Sequence, residues 1–307
     1  MTVANRDPGR SAWGALGALY VLWGTGCPAI KVCLDEGFGP FGLGALRLLA
    51  AALLLAGWAV WRRRRVNWPE LPSIVGGGVL FWLFGSGLQV WGQQGVSAGV
   101  AALVLGTTPL WGALYSAASP RTLVGLCCAL GGLAAAAEGD FDMASVGALV
   151  LAAIVGAWAG AGASGLRSDV LWVAAIQLGV GGAGQLAAMA LFDEALPTPS
   201  GSAWFSWAWL VLGPAVLGMV AYVHAARSLP LTVVLTYAVV NPLVALLVGW
   251  LALSEPLGIR QLTGLVLVGI GLLPVLAPAR RSRMPLGLGP SSHRDRHGSP
   301  HRRLRSL

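Results

Sequence analysis

Two basic side chains, Lys31 and Arg47, stand inside long apolar segments of this sequence. Burying an unpaired charge among apolar groups is costly, so residues of this kind usually serve a function. Arg47 would offer a carboxylate or phosphate two parallel donors, and Lys31 would add a point charge. In the structural alternative, Arg47 pairs with a nearby acid and the Lys31 alkyl chain lets its ammonium reach water. The acids concerned are Asp35, Glu36 and Glu255.

Uncharged side chains in other apolar segments are further candidates for binding a substrate: Gln89, Gln177, Tyr237, Asn241 and Trp23. Tyr237 and Asn241 are four residues apart, which places them on one face of a helix. Facing a cavity, they would orient a polar ligand; facing another helix, they would hold that helix by hydrogen bonds. The ring of Trp23 would suit an aromatic or cationic ligand, with ordinary packing as the alternative.

Four residues are candidates for gating or energy coupling: Pro109, Pro242, His224 and Glu255. Proline has no N–H, so Pro242 leaves the carbonyl of Ala238 without its helical donor, which predicts a break at Asn241–Pro242. A carbonyl freed inside a membrane needs protein or water beside it, because lipid offers no partner. A histidine can exchange a proton near neutral pH, which would suit His224 to coupling; packing near a helix end is the alternative.

The sequence lacks the patterns of an enzyme. It contains no phosphate-binding Walker loop, no His-Glu-x-x-His and no pair of carboxylates within an apolar segment. The four cysteines lie in apolar segments without metal-ligand spacing. We therefore predict no catalytic residue, no cofactor and no metal site.

Composition places these residues in a membrane. Of the 307 residues 56% are hydrophobic and only 10% charged, and mean hydropathy is +0.73, which excludes an ordinary soluble domain. A helix of about 20 apolar residues crosses the hydrocarbon core of a bilayer. The sequence predicts an all-α integral membrane protein with ten spans: 12–32, 41–61, 71–91, 98–118, 121–137, 144–166, 171–192, 207–226, 231–253 and 259–277.

The chain repeats itself. At an offset of 133 residues Pro109 aligns with Pro242 and Gly85 with Gly218, and at an offset of 139 Gly125 aligns with Gly264. The first copy therefore lacks six residues between its proline and its last helix. We predict one five-helix repeat at 12–137 and a second at 144–277.

Basic residues set the predicted orientation. With the N-terminus in the cytoplasm, 17 of the 20 Lys and Arg residues fall on the cytoplasmic side. Both termini are then cytoplasmic, and the second repeat is inverted relative to the first, as in many secondary transporters. Residues 278–307 form a predicted disordered basic tail that lies against anionic lipid. A nucleic-acid-binding arm is the alternative for this tail, but no aromatic residues interleave its arginines.

Several stretches in this order resemble the EamA-type repeat of the drug/metabolite transporter superfamily. They are LYVLWGTGCPAIKV, GALRLLAAALL, SAGVAALVLGTTPLW and HAARSLPLTVVLTYAVVNPLVALLVGWLALSEPLG, within residues 12–277. The resemblance implies ten helices, with spans 1–4 and 6–9 around a central cavity and spans 5 and 10 behind them. It also implies movement of small metabolites, often outward. The first repeat departs from the pattern, because the glutamate that usually follows its proline-bearing helix is absent.

The sequence thus predicts a secondary transporter of the cell membrane, an exporter or exchanger of small metabolites or drugs such as amino acids or amphipathic organic compounds. A substrate gradient or exchange would drive it, since no nucleotide site is present. The alternative is a membrane scaffold or receptor that transports nothing. The expected partners are a small-molecule substrate and the lipid bilayer but no nucleic acid. The sequence is compatible with both a monomer and a homodimer.

Overall fold

Helices form the regular structure of every described part of the chain. The computed structural model describes residues 10–117, 120–136, 142–162, 166–229, 231–234, 236–255 and 257–276. The predicted tail at 278–307 lies outside the described residues. The helices of the first half are α1 Arg10–Gly24, α2 Gly26–Asp35, α3 Pro40–Trp61, α4 Leu71–Gly77, α5 Ser86–Gly92, α6 Ala98–Gly106, α7 Thr108–Ala117 and α8 Pro120–Ala136. A π-helical segment, π1 Gly78–Gly85, joins α4 to α5, and Trp68–Glu70 and Gln93–Gly95 are 3₁₀ turns.

The second half has fewer interruptions. Its helices are α9 Met143–Gly162, α10 Val170–Leu191, α11 Gly201–Leu210, α12 Met219–Ser228, α13 Leu231–Val234, α14 Tyr237–Leu253 and α15 Ile259–Leu276. A second π-helical segment, π2 Val211–Gly218, joins α11 to α12. The eighth predicted span was placed at 207, whereas α11 begins six residues earlier at Gly201, because the loop before it ends in Ser200.

Five helical rods of the described chain are long and apolar enough to cross a membrane. They are Arg10–Asp35, Pro40–Trp61, Trp68–Gly95, Val170–Leu191 and Gly201–Ala226. Five shorter apolar helices accompany them: Ala98–Leu114, Leu123–Ala135, Met143–Ala159, Tyr237–Leu253 and Ile259–Leu273. This is the helical content of a membrane protein.

Helices are interrupted at a threonine in three places, one in a long rod and two beside the shorter helices. Thr25 separates α1 from α2, Thr107 separates α6 from α7, and Thr236 precedes α14. Each hydroxyl donates to the carbonyl three residues earlier, at 3.0, 2.6 and 2.5 Å respectively. A threonine hydroxyl bonded in this way competes with the helical backbone and bends the helix.

The break predicted at Asn241–Pro242 lies instead at Thr236, and α14 continues through Pro242. Proline removes one backbone hydrogen bond of the helix, and the carbonyl that it frees needs protein or water beside it. That carbonyl belongs to Ala238 and lies against Gly106 of α6, where a Cβ would stand only 3.0 Å from its oxygen. Because Gly106 has no side chain, α6 can approach α14 closely at Ala238.

The two halves show the same offsets in structure as in sequence. π1 and π2 begin at residues 78 and 211 and end at 85 and 218, so both bounds differ by 133. Helices α8 and α15 begin at Pro120 and Ile259, which differ by 139. The irregular helical segments therefore recur at the register at which the sequence repeats.

Helices α8 and α15 pack on each other through glycines. A Cβ on Gly125 would collide with the carbonyl oxygen of Gly271, and one on Gly132 would lie 2.8 Å from that of Gly264. At the offset of 139, Gly125 corresponds to Gly264 and Gly132 to Gly271. Gly125 thus contacts the equivalent of Gly132, and Gly132 contacts the equivalent of Gly125. Reciprocal contacts of this kind arise across a two-fold axis. Because the order of contacts reverses along the two helices, these equivalent helices run antiparallel.

Candidate functional site

A cavity of about 170 Å³ lies between the two halves of the chain. Its walls come from α1, α2, α3, π1, α5, α6 and α7 of the first half and from α9, π2 and α14 of the second. No described side chain of α8 or α15 lines this wall, and these two helices pack on each other. The arrangement matches the implied placement of the fifth and tenth spans behind the cavity, whereas α10, in the seventh predicted span, is also absent from the lining.

Six of the candidate residues line this cavity: Trp23, Arg47, Gln89, Tyr237, Asn241 and Pro242. They come from four parts of the sequence that only the fold brings together. Tyr237 and Asn241 lie on the same face of α14, as their spacing predicts. With its amide oriented to satisfy both neighbours, Asn241 donates to the carbonyl oxygens of Tyr237 and Tyr20 at 3.2 Å. Asn241 therefore also ties α14 to α1.

The other five candidates lie elsewhere. The Lys31 ammonium pairs with the Asp35 carboxylate at 2.9 Å. Gln177 is buried between α10 and α4, where its amide nitrogen would lie 2.5 Å from a Cβ on Gly77. Pro109 is buried in α7 next to the lining residue Thr108, and His224 is exposed on α12. Glu255 binds the start of another helix, as described below.

Arg47 is the charged member of the cavity wall. Its side chain is 6% exposed, and its Nη2 donates to the Ser86 hydroxyl at 2.5 Å. The Nε atom has no hydrogen-bond partner, and neither ion pair found among the described residues includes Arg47. The acids considered as its partners are engaged elsewhere: Asp35 with Lys31, Glu36 with Ser200, and Glu255 with backbone amides. The buried guanidinium therefore lies in the cavity wall without an anionic partner and with one donor unused.

An aromatic group forms another part of the wall. The ring of Trp23 stacks on Tyr222 with centroids 5.2 Å apart and meets the edge of Tyr237 at 5.1 Å. Its indole N–H donates to the Pro214 carbonyl at 3.1 Å, which fixes the ring. Trp82 of π1 lines the same cavity, and its buried indole N–H has no partner. The cavity combines one cation, spare N–H donors and flat apolar faces.

The helix breaks surround this site, and an aromatic donor holds each of them. Trp209, Trp111 and Tyr20 donate to the hydroxyls of Thr25, Thr107 and Thr236, at 3.0, 3.0 and 2.5 Å. Two of these bonds join separate rods, because Trp209 lies on α11 and Tyr20 on α1. π-Helical segments often mark functional sites, and here both supply lining residues. Five irregular helical parts thus border the cavity, namely the three threonine breaks and the two π-helical segments.

One end of the molecule is tied together by glutamates. Glu194 accepts from the amides of Phe41 and Gly42 at 3.0 and 2.6 Å, at the start of α3. Glu255 accepts from the amides of Ala98 and Gly99 at 2.8 and 3.3 Å, at the start of α6. A carboxylate stabilises a helix N-terminus both by these bonds and by its charge.

Both glutamates reach their helices in the same way. Each follows a residue in the left-handed conformation, Asp193 with φ 52° or Ser254 with φ 54°, which reverses the chain after a helix. Glu36 lies at the same end, where hydrogen bonds from Ser200 and then Ser202 hold the pKa of its carboxyl below its ordinary value. We call the end that carries Glu36, Glu194 and Glu255 the carboxylate end. Each of these bonds crosses from one half of the chain to the other.

Several cavity residues carry no strong signal in the sequence. Ser86, which orients Arg47, is one small polar residue at the end of a glycine-rich segment, and Cys27 reads as a small apolar residue. The threonine breaks do have a signal, since Thr25 stands between glycines and Thr107 and Thr108 precede a proline. Glycine and proline next to threonine in an apolar run favour an interrupted helix.

The sequence profile of the EamA-like transporter family matches residues 12–137 and 143–277. The chain belongs to this family. It is therefore a multi-pass membrane transporter and a member of the drug/metabolite transporter superfamily, as its resemblance implied.

Related proteins carry transporter names. "Uncharacterized inner membrane transporter YedA" of Escherichia coli is 28% identical over 251 residues, which cover 77% of this chain and 81% of that protein. "Uncharacterized transporter YdfC" of Bacillus subtilis is 32% identical over 42% of this chain and 45% of its own length. A "probable terminal-alkyne amino-acid exporter" of Streptantibioticus cattleyicolor is 35% identical over 35% of this chain and 36% of its own length.

One solved crystal structure has the same fold. It superposes with a TM-score of 0.63 at 18% sequence identity, covering 87% of this chain and 96% of the other. The fold of this chain is therefore one that has been observed by experiment.

Proposed function

We propose that this EamA-family protein is a non-enzymatic secondary transporter, which exports or exchanges a small amphipathic metabolite across the cytoplasmic membrane by alternating access. Amino acids are among the candidate substrates, since one relative is named as an amino-acid exporter. The observation that carries the proposal is the cavity, whose wall is shared by both halves of the chain. A site between two halves becomes accessible from opposite sides when the halves rock against each other.

The symmetry of the helices supports this mechanism. We propose ten spans in two inverted repeats, 12–137 and 144–277, with the axis between α8 and α15. The antiparallel, reciprocal glycine contacts of these two helices fit such an axis. Counted together with α7 across the break at Thr107, α6 reaches the length of a span. The carboxylate end would then face outward and both termini the cytoplasm.

This orientation predicts the result of a labelling experiment. With the four native cysteines replaced, a cysteine at Ser291 should react with an impermeant maleimide only after cells are opened, whereas one at Asp140 should react in intact cells. The reason is that 17 of the 20 basic residues lie on the side of Ser291 in this topology. Labelling of both positions from the same side would contradict the orientation.

Transport itself is tested by blocking the cavity. A Cβ on Gly26 or on Gly14 meets nothing within 4 Å, but only Gly26 lines the cavity. In proteoliposomes loaded with a panel of amino acids, organic acids and amines, we expect the wild type to show counterflow. Gly26→Phe should reduce it at least tenfold, because the ring fills the cavity, and Gly14→Phe should leave it unchanged. If no compound exchanges, or if Gly26→Phe transports normally, the result would favour the alternative of a scaffold or receptor.

We further propose that a substrate gradient or exchange supplies the energy. Proton-driven carriers use an ionisable group that is reachable from the substrate site. Among the described residues that line the cavity there is no Asp, Glu or His, and His224 is exposed on α12. Glu255 is engaged in binding the start of α6.

A further inference from the structure

The charge of the cavity is unbalanced. Its described lining includes Arg47 and contains neither an aspartate nor a glutamate. A buried cation without a counter-charge is costly, and the cost is recovered when a bound group supplies the negative charge. This site therefore favours an anionic ligand over a neutral or cationic one.

The unsatisfied atoms in the wall are donors. Arg47 Nε and Trp82 Nε1 are both buried without a partner, and both belong to lining residues. Guanidinium has no acceptor, and the indole nitrogen is also a donor only. This part of the wall therefore has an excess of hydrogen-bond donors over acceptors. Ser86, which receives one bond from Arg47, fixes the direction of the guanidinium.

The class of anion follows from charge and size. A phosphate group carries close to two charges at neutral pH, but the lining holds one cation. A carboxylate carries one charge and matches the two parallel donors of a guanidinium. The volume of about 170 Å³ suits a small molecule, since a cavity of roughly 150 Å³ takes up benzene. The rest of the wall offers the rings of Trp23, Phe81 and Tyr237 to an apolar body.

We propose that the substrate is an amphipathic carboxylate, held by its carboxylate on Arg47 and with its apolar or aromatic body against the tryptophans of the cavity. This inference rests on the proposed function and names the substrate class of the same site. An amino acid and a simple organic acid both carry the required group. The carboxylate, and not an amino group, is the recognised feature.

Three probes separate these chemistries, because they share a phenyl ring and a two-carbon chain. 3-Phenylpropionate has only the carboxylate, phenethylamine only the amine, and phenylalanine both. We expect phenylalanine, phenylpropionate or both to stabilise the purified full-length protein against heat and to compete in counterflow. Binding by phenylalanine alone identifies amino acids as the source of the carboxylate, and binding by both admits simple acids. Phenethylamine that binds as tightly as either carboxylate overturns the proposal.

The variants test Arg47 directly. Arg47→Gln should weaken binding of the carboxylate probe at least tenfold, and Arg47→Lys should recover part of the loss, because lysine keeps the charge without the fork. Ser86→Ala keeps the cation and removes its orienting bond, so a loss of a few-fold is expected even if Arg47→Gln does not fold. Arg62→Gln, on the exposed residue that follows α3, serves as the matched control and should bind as the wild type. Unchanged binding in Arg47→Gln and Ser86→Ala would overturn the proposal.

The two readouts keep this inference apart from the proposed function. Carboxylate binding without any counterflow would support the role of Arg47 and contradict transport. Counterflow of amines or neutral compounds, independent of Arg47, would support transport and overturn the carboxylate requirement.

Discussion

Replacing Gly125 with valine is expected to destabilise the protein by about 3 kcal/mol, the upper part of the range for overpacked sites. The new Cβ would collide with the carbonyl oxygen of Gly271. A backbone atom inside a helix cannot turn aside as a flexible side chain does, so α8 and α15 would have to separate. The thermal unfolding midpoint of the purified protein in detergent measures this loss.

Gly131 supplies the matched control on the same helix. A Cβ there meets nothing within 4 Å, so Gly131→Val changes helix propensity as much as Gly125→Val does without a collision. We expect its unfolding midpoint to stay near that of the wild type. Equal midpoints for the two variants would mean that α8 and α15 are not packed through their glycines.

Neutralising both interhelical caps should open the carboxylate end. The charge of a carboxylate at a helix N-terminus contributes up to about 1 kcal/mol, so Glu194→Gln with Glu255→Gln would shift the equilibrium between closed and open forms by up to about 2 kcal/mol, or about 30-fold. Cys27 lines the cavity and is 6% exposed, which makes its thiol a natural probe. With the other cysteines changed to serine, we expect the double variant to react faster with an impermeant thiosulfonate, up to that limit.

The single variants and one control make this measurement specific. Each single variant should give about half of the shift in free energy, because the two caps bind different helices. Glu36→Gln also removes a negative charge from the carboxylate end. The bonds that it loses are to exposed hydroxyls and not to a helix N-terminus, so the reaction rate of Cys27 should stay unchanged. A double variant whose Cys27 reacts at the wild-type rate would show that the caps do not hold this end closed.

The bounds of α15 were predictable, because Gly258 and Pro278 flank its apolar run. The tenth span was predicted at 259–277, and α15 runs from Ile259 to Leu276. The threonine breaks were not predicted, although glycine and proline neighbours favour two of them, because the bonds from Trp209 to Thr25 and from Tyr20 to Thr236 join residues far apart in the sequence. Pro242 gave the opposite error, because α14 continues through it and the carbonyl of Ala238 lies against Gly106 of α6.

From the sequence, Lys31 and Arg47 were equal candidates for the site, but the fold places only Arg47 in the cavity wall. Lys31 has Asp35 four residues later, the spacing of an ion pair on a helix, and the structure contains that pair. Arg47 has no such neighbour on its own helix and stays unpaired within the described chain. The spacing of Lys31 and Asp35 was therefore available as a signal. The orienting role of Ser86 was not, because it depends on how α5 lies beside α3.

The matching π-helical segments indicate that the two halves of the chain arose by duplication. A π-turn holds one residue more than the α-helix it replaces, and each extra residue rotates all later side chains by about 100° about the helix axis. Two separate insertions would have had to strike the same register twice, at residues 78–85 and 211–218. One insertion in an ancestral five-helix chain, copied when its gene was duplicated, accounts for both. Phe81 of π1 and its equivalent Pro214 of π2 both line the cavity, so the extra residue of each segment turns matching positions toward the same site.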